Sequence, residues 1–224
     1  LDFLPKYYEN VEKYFLPNTE KIILAFTDGE LNETPNNLKV YQQEHLDWPY
    51  ITLKRFEIIN KARQTIEECS HLVFIDADAL PVTTITEDEF FTDKPLFGVH
   101  HPCHYLGMDP HTKAPGAYEQ NPKCEAYVDV SKSLPPVYWQ GCLWGGKVPH
   151  VCAMIDELQA RVNRDLENDI VAVWHDETQI NRYFLERTQD VHTFGPSYAF
   201  PEVFESHCNF SPKIVHLAKD NSKY

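Results

Sequence analysis

Acidic side chains follow several apolar runs of this sequence, and the pair Asp76 and Asp78 comes directly after the most hydrophobic run, His71–Ile75. In an extended chain, residues i and i+2 face the same side, so both carboxylates can converge on one hard divalent cation. Two carboxylates leave most of the coordination shell open. That favours Mn²⁺ or Mg²⁺ bridging a diphosphate over a site built from protein ligands alone. The simpler interpretation is a solvated turn with capping aspartates.

A second acidic pair, Asp176 and Glu177, follows the apolar run Ile170–Trp174. Asp176 and Gln179 have the spacing of a capping box, which predicts that a helix begins here. Under the plainer interpretation, both acids only complement the helix dipole, which is worth about 0.3–1 kcal/mol. A tryptophan beside carboxylates is nevertheless typical of sugar-binding sites, where the ring covers the C–H face of the sugar and the acids bind its hydroxyls.

The run Val137–Trp144 is an aromatic strand candidate that contains Gly141 and is followed by Gly145 and Gly146. Glycine weakens a strand, so it tends to mark a bulge or the close approach of a ligand or another backbone. The chain contains neither a GxxxxGK[ST] motif nor a GxGxxG motif after a strand. These glycines therefore do not predict a phosphate-binding loop.

The elements that must position these residues are those of an α/β domain, because short apolar runs alternate with helical patterns. The strand candidates are Lys21–Thr27, His71–Ile75, Leu96–His100, Val137–Trp144, Ile170–Trp174, His192–Phe194 and Ile214–Leu217. The helix candidates are Lys6–Phe15, Phe56–Cys69 and Val151–Leu166. The segment Pro102–Pro136 shows no clear period, and a loop of that length inside a compact domain is usually functional, such as a substrate-facing lid.

Three of the predicted strands end in acids, at Asp28, at Asp76 and at Asp176. Ligands of open α/β sheets bind outside the carboxyl ends of the strands. The sequence therefore predicts a site for a cation, a sugar or both at this edge of the sheet.

Composition excludes several classes of function. The 224 residues carry 20 Lys and Arg against 34 Asp and Glu, a formal net charge of −14. With no local basic stripe, nucleic acid is not an expected partner. The longest apolar runs, such as Leu72–Ile75, are far shorter than the ~20 residues of a membrane span. Six cysteines are spread without any CxxC pair, which predicts reduced thiols rather than a disulfide framework.

Several motifs occur together in one order: FIDAD at 74–78, FGVHHP at 97–102, YWQGCLWGG at 138–146 and VWHDETQINRYFL at 173–185. WPYITLKR precedes them at 48–55, and YExxP begins at Tyr118. This set, which spans about Lys6 to Lys219, resembles glycosyltransferase family 6. A shared order of motifs is far more specific than any single motif.

The resemblance implies a GT-A fold: a single α/β, Rossmann-like domain over residues 1–224, with a nucleotide-sugar-binding half and an acceptor-binding half. It implies a retaining α1,3-glycosyltransferase that moves Gal or GalNAc from a UDP-sugar. The expected acceptor is the 3-hydroxyl of a β-galactoside, on an oligosaccharide or a glycolipid with terminal galactose. The compact length is similar to that of bacterial and phage members, so we expect a cytoplasmic enzyme rather than one of the Golgi lumen.

The resemblance also implies roles for individual residues. The donor contacts would be Arg55, Asp76, Asp78, Gln140, Gly141, Cys142, Asp176 and Lys219. The acceptor contacts would be His101, Trp174 and Glu202. Glu177 resembles the catalytic carboxylate. Asp76 and Asp78 resemble the DxD pair that holds Mn²⁺ or Mg²⁺, with Asp78 the more direct ligand.

The chain departs from the family pattern in three respects. It starts at the helix that follows the family's first strand, whose end cradles the uracil, so we expect that strand to be missing from this chain. It keeps both acids where many bacterial relatives carry Asn-x-Asn, which favours metal dependence. Ala117 and Pro201 stand where mammalian members place polar acceptor contacts, and Glu202 is the nearest substitute.

Two other functions use similar residues. A retaining glycoside hydrolase also needs paired acids beside aromatic rings, but it has no use for a DxD motif or a tail lysine. A carbohydrate-binding protein could use the DxD acids for Ca²⁺ and Trp174 for stacking, with no need for Glu177. Turnover or stabilisation that depends on a UDP-sugar would separate the transferase from both.

Overall fold

The computed structural model describes residues 3–31, 34–106, 118–131, 135–203 and 209–218. Its helices are α1 (Leu4–Tyr14), α2 (Tyr50–Leu53), α3 (Arg55–Asn60), α4 (Arg63–Glu67), α5 (Glu87–Phe90), α6 (Pro102–Leu106), α7 (Val148–Glu167) and α8 (His175–Leu185). Its strands are β1 (Ile23–Thr27), β2 (Leu38–Gln42), β3 (His71–Ile75), β4 (Ala79–Pro81), β5 (Leu96–His100), β6 (Trp139–Lys147), β7 (Val191–Phe194), β8 (Phe200–Pro201) and β9 (Ile214–His216). The α/β class predicted from sequence is confirmed.

A mixed four-stranded sheet with the order β3-β6-β5-β7 forms the centre of the fold. Strand β6 runs antiparallel to both neighbours, and β5 pairs with β7 in parallel. Strands β1 and β2 form a separate parallel pair, and β4, β9 and β8 form a small third sheet. Because β6 lies inside the central sheet, the residues it carries are surrounded by other elements on all sides.

Close backbone approach explains the paired glycines of β6, as the sequence predicted. A Cβ atom at Gly145 would lie 2.2 Å from the Leu72 carbonyl oxygen, and one at Gly146 would lie 2.1 Å from that of Pro95. Gly146 also has a φ of 149°, which side chains rarely tolerate. These two positions let β3 and the chain before β5 pack directly against β6.

Helix α7 covers this sheet with the apolar face that its sequence predicted. Val151, Ile155, Leu158 and Val162 are buried in one cluster with Trp144, and Leu166 packs at the edge of the same cluster. Burial of each such side chain contributes about 1.5–3 kcal/mol. The long α7 therefore forms a rigid support for β6 and for the helix that follows.

The predicted strand Ile170–Trp174 is wrong. Val171 and Val173 are exposed and Ala172 is buried, an alternation that is typical of a strand. The segment nevertheless pairs with no described strand. Its backbone binds elsewhere: the Ile170 N–H donates to the Asp165 carbonyl over 2.8 Å, and the Val173 N–H donates to Glu119 Oε2 over 2.9 Å. A carboxylate takes the place of a neighbouring strand here.

Other boundaries also differ. The predicted helix Phe56–Cys69 is two short helices, α3 and α4, separated by Lys61 and Ala62. Strands β2, β4 and β8 were not predicted, because each is short or lacks a clear alternation. No helix in the described ranges combines the length and apolarity needed to span a bilayer. Cys69, Cys124, Cys142 and Cys152 are free thiols, as expected, whereas Cys208 lies outside the described residues.

Candidate active site

The guanidinium of Arg55, the first residue of α3, connects the predicted donor residues. Its Nη2 lies 3.3 Å from Asp76 Oδ1, and its Nη1 donates to the Gly141 carbonyl over 3.1 Å. The same Nη1 forms a short ion pair with Asp176. The guanidinium also covers the ring of Phe74 at 4.5 Å. Arg55 therefore brings together β3, β6 and α8 at one point.

The start of α8 turns two acids toward that point. His175 has a φ of 51°, in the left-handed region, and the helix begins there. Asp176 is buried, and Glu177 Oε2 accepts a hydrogen bond from the Gly141 N–H over 2.7 Å. The predicted capping box is wrong, because no side chain caps the helix and Gln179 instead donates to Asp165 Oδ2 over 2.7 Å. Neither acid is therefore engaged in capping α8: Asp176 pairs with Arg55, and Glu177 binds β6.

The two acids hold their protons more tightly than ordinary carboxyl groups do. Burial raises the pKa of Asp176 from 3.8 to about 7, although the Arg55 charge opposes the rise. Burial likewise raises the pKa of Glu177 from 4.5 to about 7, against the hydrogen bond from Gly141. Strongly raised carboxyl pKa values beside a specific charged partner are typical of functional sites.

The DxD pair lies beside this cluster. The Asp76 N–H donates to the Cys142 carbonyl over 3.0 Å, and Asp78 is 6% exposed. His216 Nδ1 lies 3.9 Å from Asp78 Oδ2. In the part of the chain that the structure describes, no three His, Cys, Asp or Glu side chains are grouped to hold a metal ion. Two carboxylates alone would leave most of the coordination shell of a divalent cation open to other ligands.

The predicted donor triplet Gln140, Gly141 and Cys142 occupies the half of β6 next to these acids. A Cβ atom at Gly141 would lie 3.1 Å from Glu177 Cβ, so this position is in close contact with α8. The Gln140 side-chain oxygen is buried with no hydrogen-bond partner among the described residues. Burial, and next the Asp76 charge, raise the pKa of the Cys142 thiol, which keeps it neutral.

The predicted acceptor residues are not all brought together. His101 donates its backbone N–H to the Tyr138 carbonyl over 2.8 Å, and its ring packs edge-on against that of Tyr138. Trp174 is partly exposed directly before the two acids of α8. Glu202 is exposed and accepts from the Ala218 N–H over 3.0 Å, a contact that does not involve the acids. Lys219 and Ala117 lie outside the described residues.

Sequence reasoning missed two supporting residues. Tyr138 is buried beside Glu177, and burial together with the Glu177 charge raises the pKa of its phenol. Asn181 is buried one turn after Glu177 and binds the backbone of Trp139. Its position four residues after Glu177 was the available signal, since the two side chains share one helix face.

A cleft of about 550 Å³ lies at the carboxyl ends of β1 and β2. Asp28, which the sequence singled out as a strand-end acid, lines it together with Gln43, Lys54 and Lys61. Glu57 and Ile58 of α3 also line it, so the cleft and Arg55 share that helix. This edge of a parallel sheet is where α/β proteins bind ligands.

The fold and the site define an α/β domain with a buried cluster of carboxyl groups around one arginine. The sequence profile described as glycosyltransferase family 6 matches residues 1–222. The chain belongs to glycosyltransferase family 6 and is a hexosyltransferase. The family match favours this class over the hydrolase and the carbohydrate-binding protein considered from sequence.

Similar proteins occur in bacteria and mammals. The "O-antigen biosynthesis glycosyltransferase WbnI" of Escherichia coli is 28% identical over 99% of this chain and 91% of its own length. The "Histo-blood group ABO system transferase 2" of Rattus norvegicus is 27% identical over 96% of this chain and 64% of its own length. The "Globoside alpha-1,3-N-acetylgalactosaminyltransferase 1" of Mus musculus is 26% identical over 82% of this chain and 53% of its own length. The chain thus spans between half and two thirds of these mammalian relatives.

Proposed function

We propose that this chain transfers galactose from UDP-galactose to the 3-hydroxyl of a β-galactoside and retains the α configuration. UDP-GalNAc is the alternative donor, and the acceptor is an oligosaccharide or a glycolipid with terminal galactose. We also propose that the protein works in the cytoplasm. One of its relatives is named as an α-1,3-N-acetylgalactosaminyltransferase, which supports the α1,3 linkage.

One observation carries this proposal. The Glu177 carboxylate is fixed by the Gly141 N–H at 2.7 Å, beside the ion pair of Arg55 and Asp176. A carboxylate held in this way keeps its orientation while a reaction proceeds. A preorganised charge in a site withdrawn from water stabilises a developing opposite charge without further reorganisation.

Each residue then has a definable task. Arg55 orients Asp176, and we propose that Asp176 accepts hydrogen bonds from hydroxyls of the donor sugar. Ionised Glu177 faces the anomeric carbon and stabilises its positive charge, either as a nucleophile or as an electrostatic partner. Trp174 offers an apolar face to the acceptor sugar. Loss of Asp176 would weaken donor binding, loss of Glu177 would lower turnover, and loss of Trp174 would weaken acceptor binding.

The leaving group requires a second set of contacts. We propose that Asp76 and Asp78 hold Mn²⁺, or Mg²⁺, on the diphosphate. When bound, the cation would offset the charge that develops on the departing UDP. We propose that the nucleoside occupies the cleft between β2 and α3, which is lined by Gln43, the two lysines and the acids Asp28, Glu44 and Glu57.

The test is whether this protein recognises and uses a UDP-sugar. UDP with Mn²⁺ at about 100 times its dissociation constant should add about 2.7 kcal/mol to the free energy of unfolding. Purified protein incubated with UDP-galactose, Mn²⁺ and lactose should form a trisaccharide with a new α1,3 linkage, identified by NMR. Binding without transfer to any β-galactoside would overturn the proposed acceptor, and absence of both would overturn the proposed function.

A further inference from the structure

Helix α8 is fastened to strand β6 at two points that lie close to the proposed chemistry. Glu177 accepts from the Gly141 N–H, as described above. One helical turn later, Asn181 binds Trp139 twice: Asn181 Oδ1 accepts from the Trp139 N–H over 2.8 Å, and Asn181 Nδ2 donates to the Trp139 carbonyl over 2.7 Å. Asn181 Nδ2 also donates to the Glu177 carbonyl over 2.9 Å.

The side chain of Asn181 makes the backbone hydrogen bonds to Trp139 that a neighbouring strand would otherwise make. On that side of β6, strand β3 ends at Ile75, which pairs with Leu143. On the other side, β5 pairs with Trp139 through His100, just past the register shift between Gly98 and Val99. A buried backbone amide without a partner costs about 1–3 kcal/mol, so the chain beyond the end of β3 needs a substitute. The amide of Asn181 supplies both a donor and an acceptor there.

We propose that Asn181 is a positioning residue that sets the distance between Glu177 and the donor-facing residues Gln140–Cys142. This inference rests on the proposed function of the site. Trp139 directly precedes that triplet, and the Glu177 carbonyl is bound by the same amide nitrogen that binds Trp139. Asn181 therefore links the backbone of the reacting carboxylate to the backbone of the donor pocket through a single group.

The expected consequence is kinetic. When Asn181 is replaced by alanine, α8 and β6 lose the clamp, while the contact between Arg55 and Asp76 and the lining of the cleft do not involve α8 and are kept. A misplacement of about 1 Å in a catalytic group can lower the rate about 10²-fold. We expect kcat to fall by about this factor, with KM for the UDP-sugar and the affinity for UDP within about twofold of wild type, the pattern of an interaction made mainly in the transition state.

Gln179 provides a matched control on the same helix. It is also a fully buried amide, but the hydrogen bond that it donates goes to Asp165 Oδ2 of α7 rather than to β6. Gln179→Ala should lower the melting temperature about as much as Asn181→Ala and keep kcat within a few-fold of wild type. Equal losses of kcat in the two variants would show that Asn181 acts only through general stability, and would overturn the inference.

A second measurement does not depend on activity. Hydrogen–deuterium exchange of the peptide that contains Trp139 and Gly141 reports whether the strand is still fastened. We expect selectively faster exchange there in Asn181→Ala, and no such selective change in Gln179→Ala. Unchanged protection of this peptide in Asn181→Ala would overturn the clamp even if the wild-type protein transferred no sugar. Absence of transfer in wild type alone would overturn only the proposed function.

Asn181→Asp covers the case in which the alanine variant does not fold. Measured at a pH high enough to ionise it, the carboxylate keeps the acceptor for the Trp139 N–H but loses the donor for the Trp139 and Glu177 carbonyls. We expect an intermediate exchange rate and a lowered kcat with UDP affinity retained. A kcat equal to that of wild type would show that the donated hydrogen bonds do not position Glu177.

Discussion

Replacing Glu177 by glutamine should make the protein more stable and less active at the same time. Glutamine has the same shape and its oxygen can still accept from the Gly141 N–H, so the local fold is kept. The carboxyl, in contrast, has a pKa raised by burial from 4.5 to about 7. Ionisation of Glu177 therefore destabilises the folded protein relative to the unfolded chain. A neutral glutamine at this position does not have this destabilising effect.

The size of the effect follows from the difference between the two pKa values. At about 1.4 kcal/mol per pKa unit, the rise from 4.5 to about 7 corresponds to roughly 3–3.5 kcal/mol at pH 8. For a chain of this length that is an increase of about 6–14 °C in melting temperature. Because the folded-state pKa is raised, the stability conferred by protonated Glu177 is complete below pH 4.5 and is lost as the pH rises through about 7. The advantage of Glu177→Gln should accordingly be large at pH 8 and small at pH 5.

The assay is thermal unfolding of both proteins from pH 5 to pH 8, together with turnover. We expect kcat to fall on the order of 10²–10³-fold, the loss typical of one electrostatic stabiliser, with UDP affinity retained. Glu186→Gln, near the end of the same helix, is a control for which we expect the opposite change in stability. Burial alone would raise the pKa of Glu186, but hydrogen bonding to Arg161 lowers it, so this variant should be less stable than wild type at pH 8. A Glu177→Gln protein no more stable at pH 8 than at pH 5, relative to wild type, would refute the reasoning.

Two further predictions concern the donor. EDTA should abolish transfer and Mn²⁺ should restore it, and Asp78→Asn should lower both activity and Mn²⁺ affinity; full activity in EDTA would contradict the proposed metal. Cys142→Gly should raise the use of UDP-GalNAc relative to UDP-galactose by roughly 5- to 150-fold, since overpacking costs about 1–3 kcal/mol and the thiol occupies volume that glycine frees. Competition between the two donors on lactose measures this ratio, and an unchanged ratio would show that position 142 does not select the sugar.

Much of the fold was predictable because the apolar pattern of each helix or strand lies within a short stretch of sequence. The apolar repeat of α7 and the apolar run of β3 reflect burial of one face, which any close packing of this chain requires. The segment Ile170–Trp174 shows the limit of such reasoning. Alternation records which side chains are buried but not what binds the backbone, and here the partner is the carboxylate of Glu119, 54 positions earlier in the chain.

The candidate site was predicted less evenly for a similar physical reason. Motif order identified Arg55, Asp176 and Glu177, and the structure brings them together. It does not bring Glu202 to them, because Glu202 binds the chain after β9 instead. Asn181 was missed although it lies in the same motif as Glu177. Its role arises from where β3 ends relative to β6, and a register between strands is not visible in the residues of either strand.

The charges of the site explain why a cation belongs in the proposed reaction. Three carboxyl groups act on the Cys142 thiol, those of Asp76, Asp78 and Glu177, against the guanidinium of Arg55, and Asp176 interacts with Asp76 and Glu177 in the same cluster. A nucleoside diphosphate brings further negative charge, and like charges in a site withdrawn from water repel strongly. Protonation of Asp176 or Glu177 would relieve part of this repulsion, which adds to the effect of burial on their pKa values, but a protonated Glu177 could not stabilise a cationic anomeric centre. A divalent cation relieves the repulsion without neutralising Glu177. Metal binding should therefore lower the pKa of Glu177, and the acidic limb of the activity profile should lie below pH 7 at saturating Mn²⁺ and move upward as Mn²⁺ is depleted.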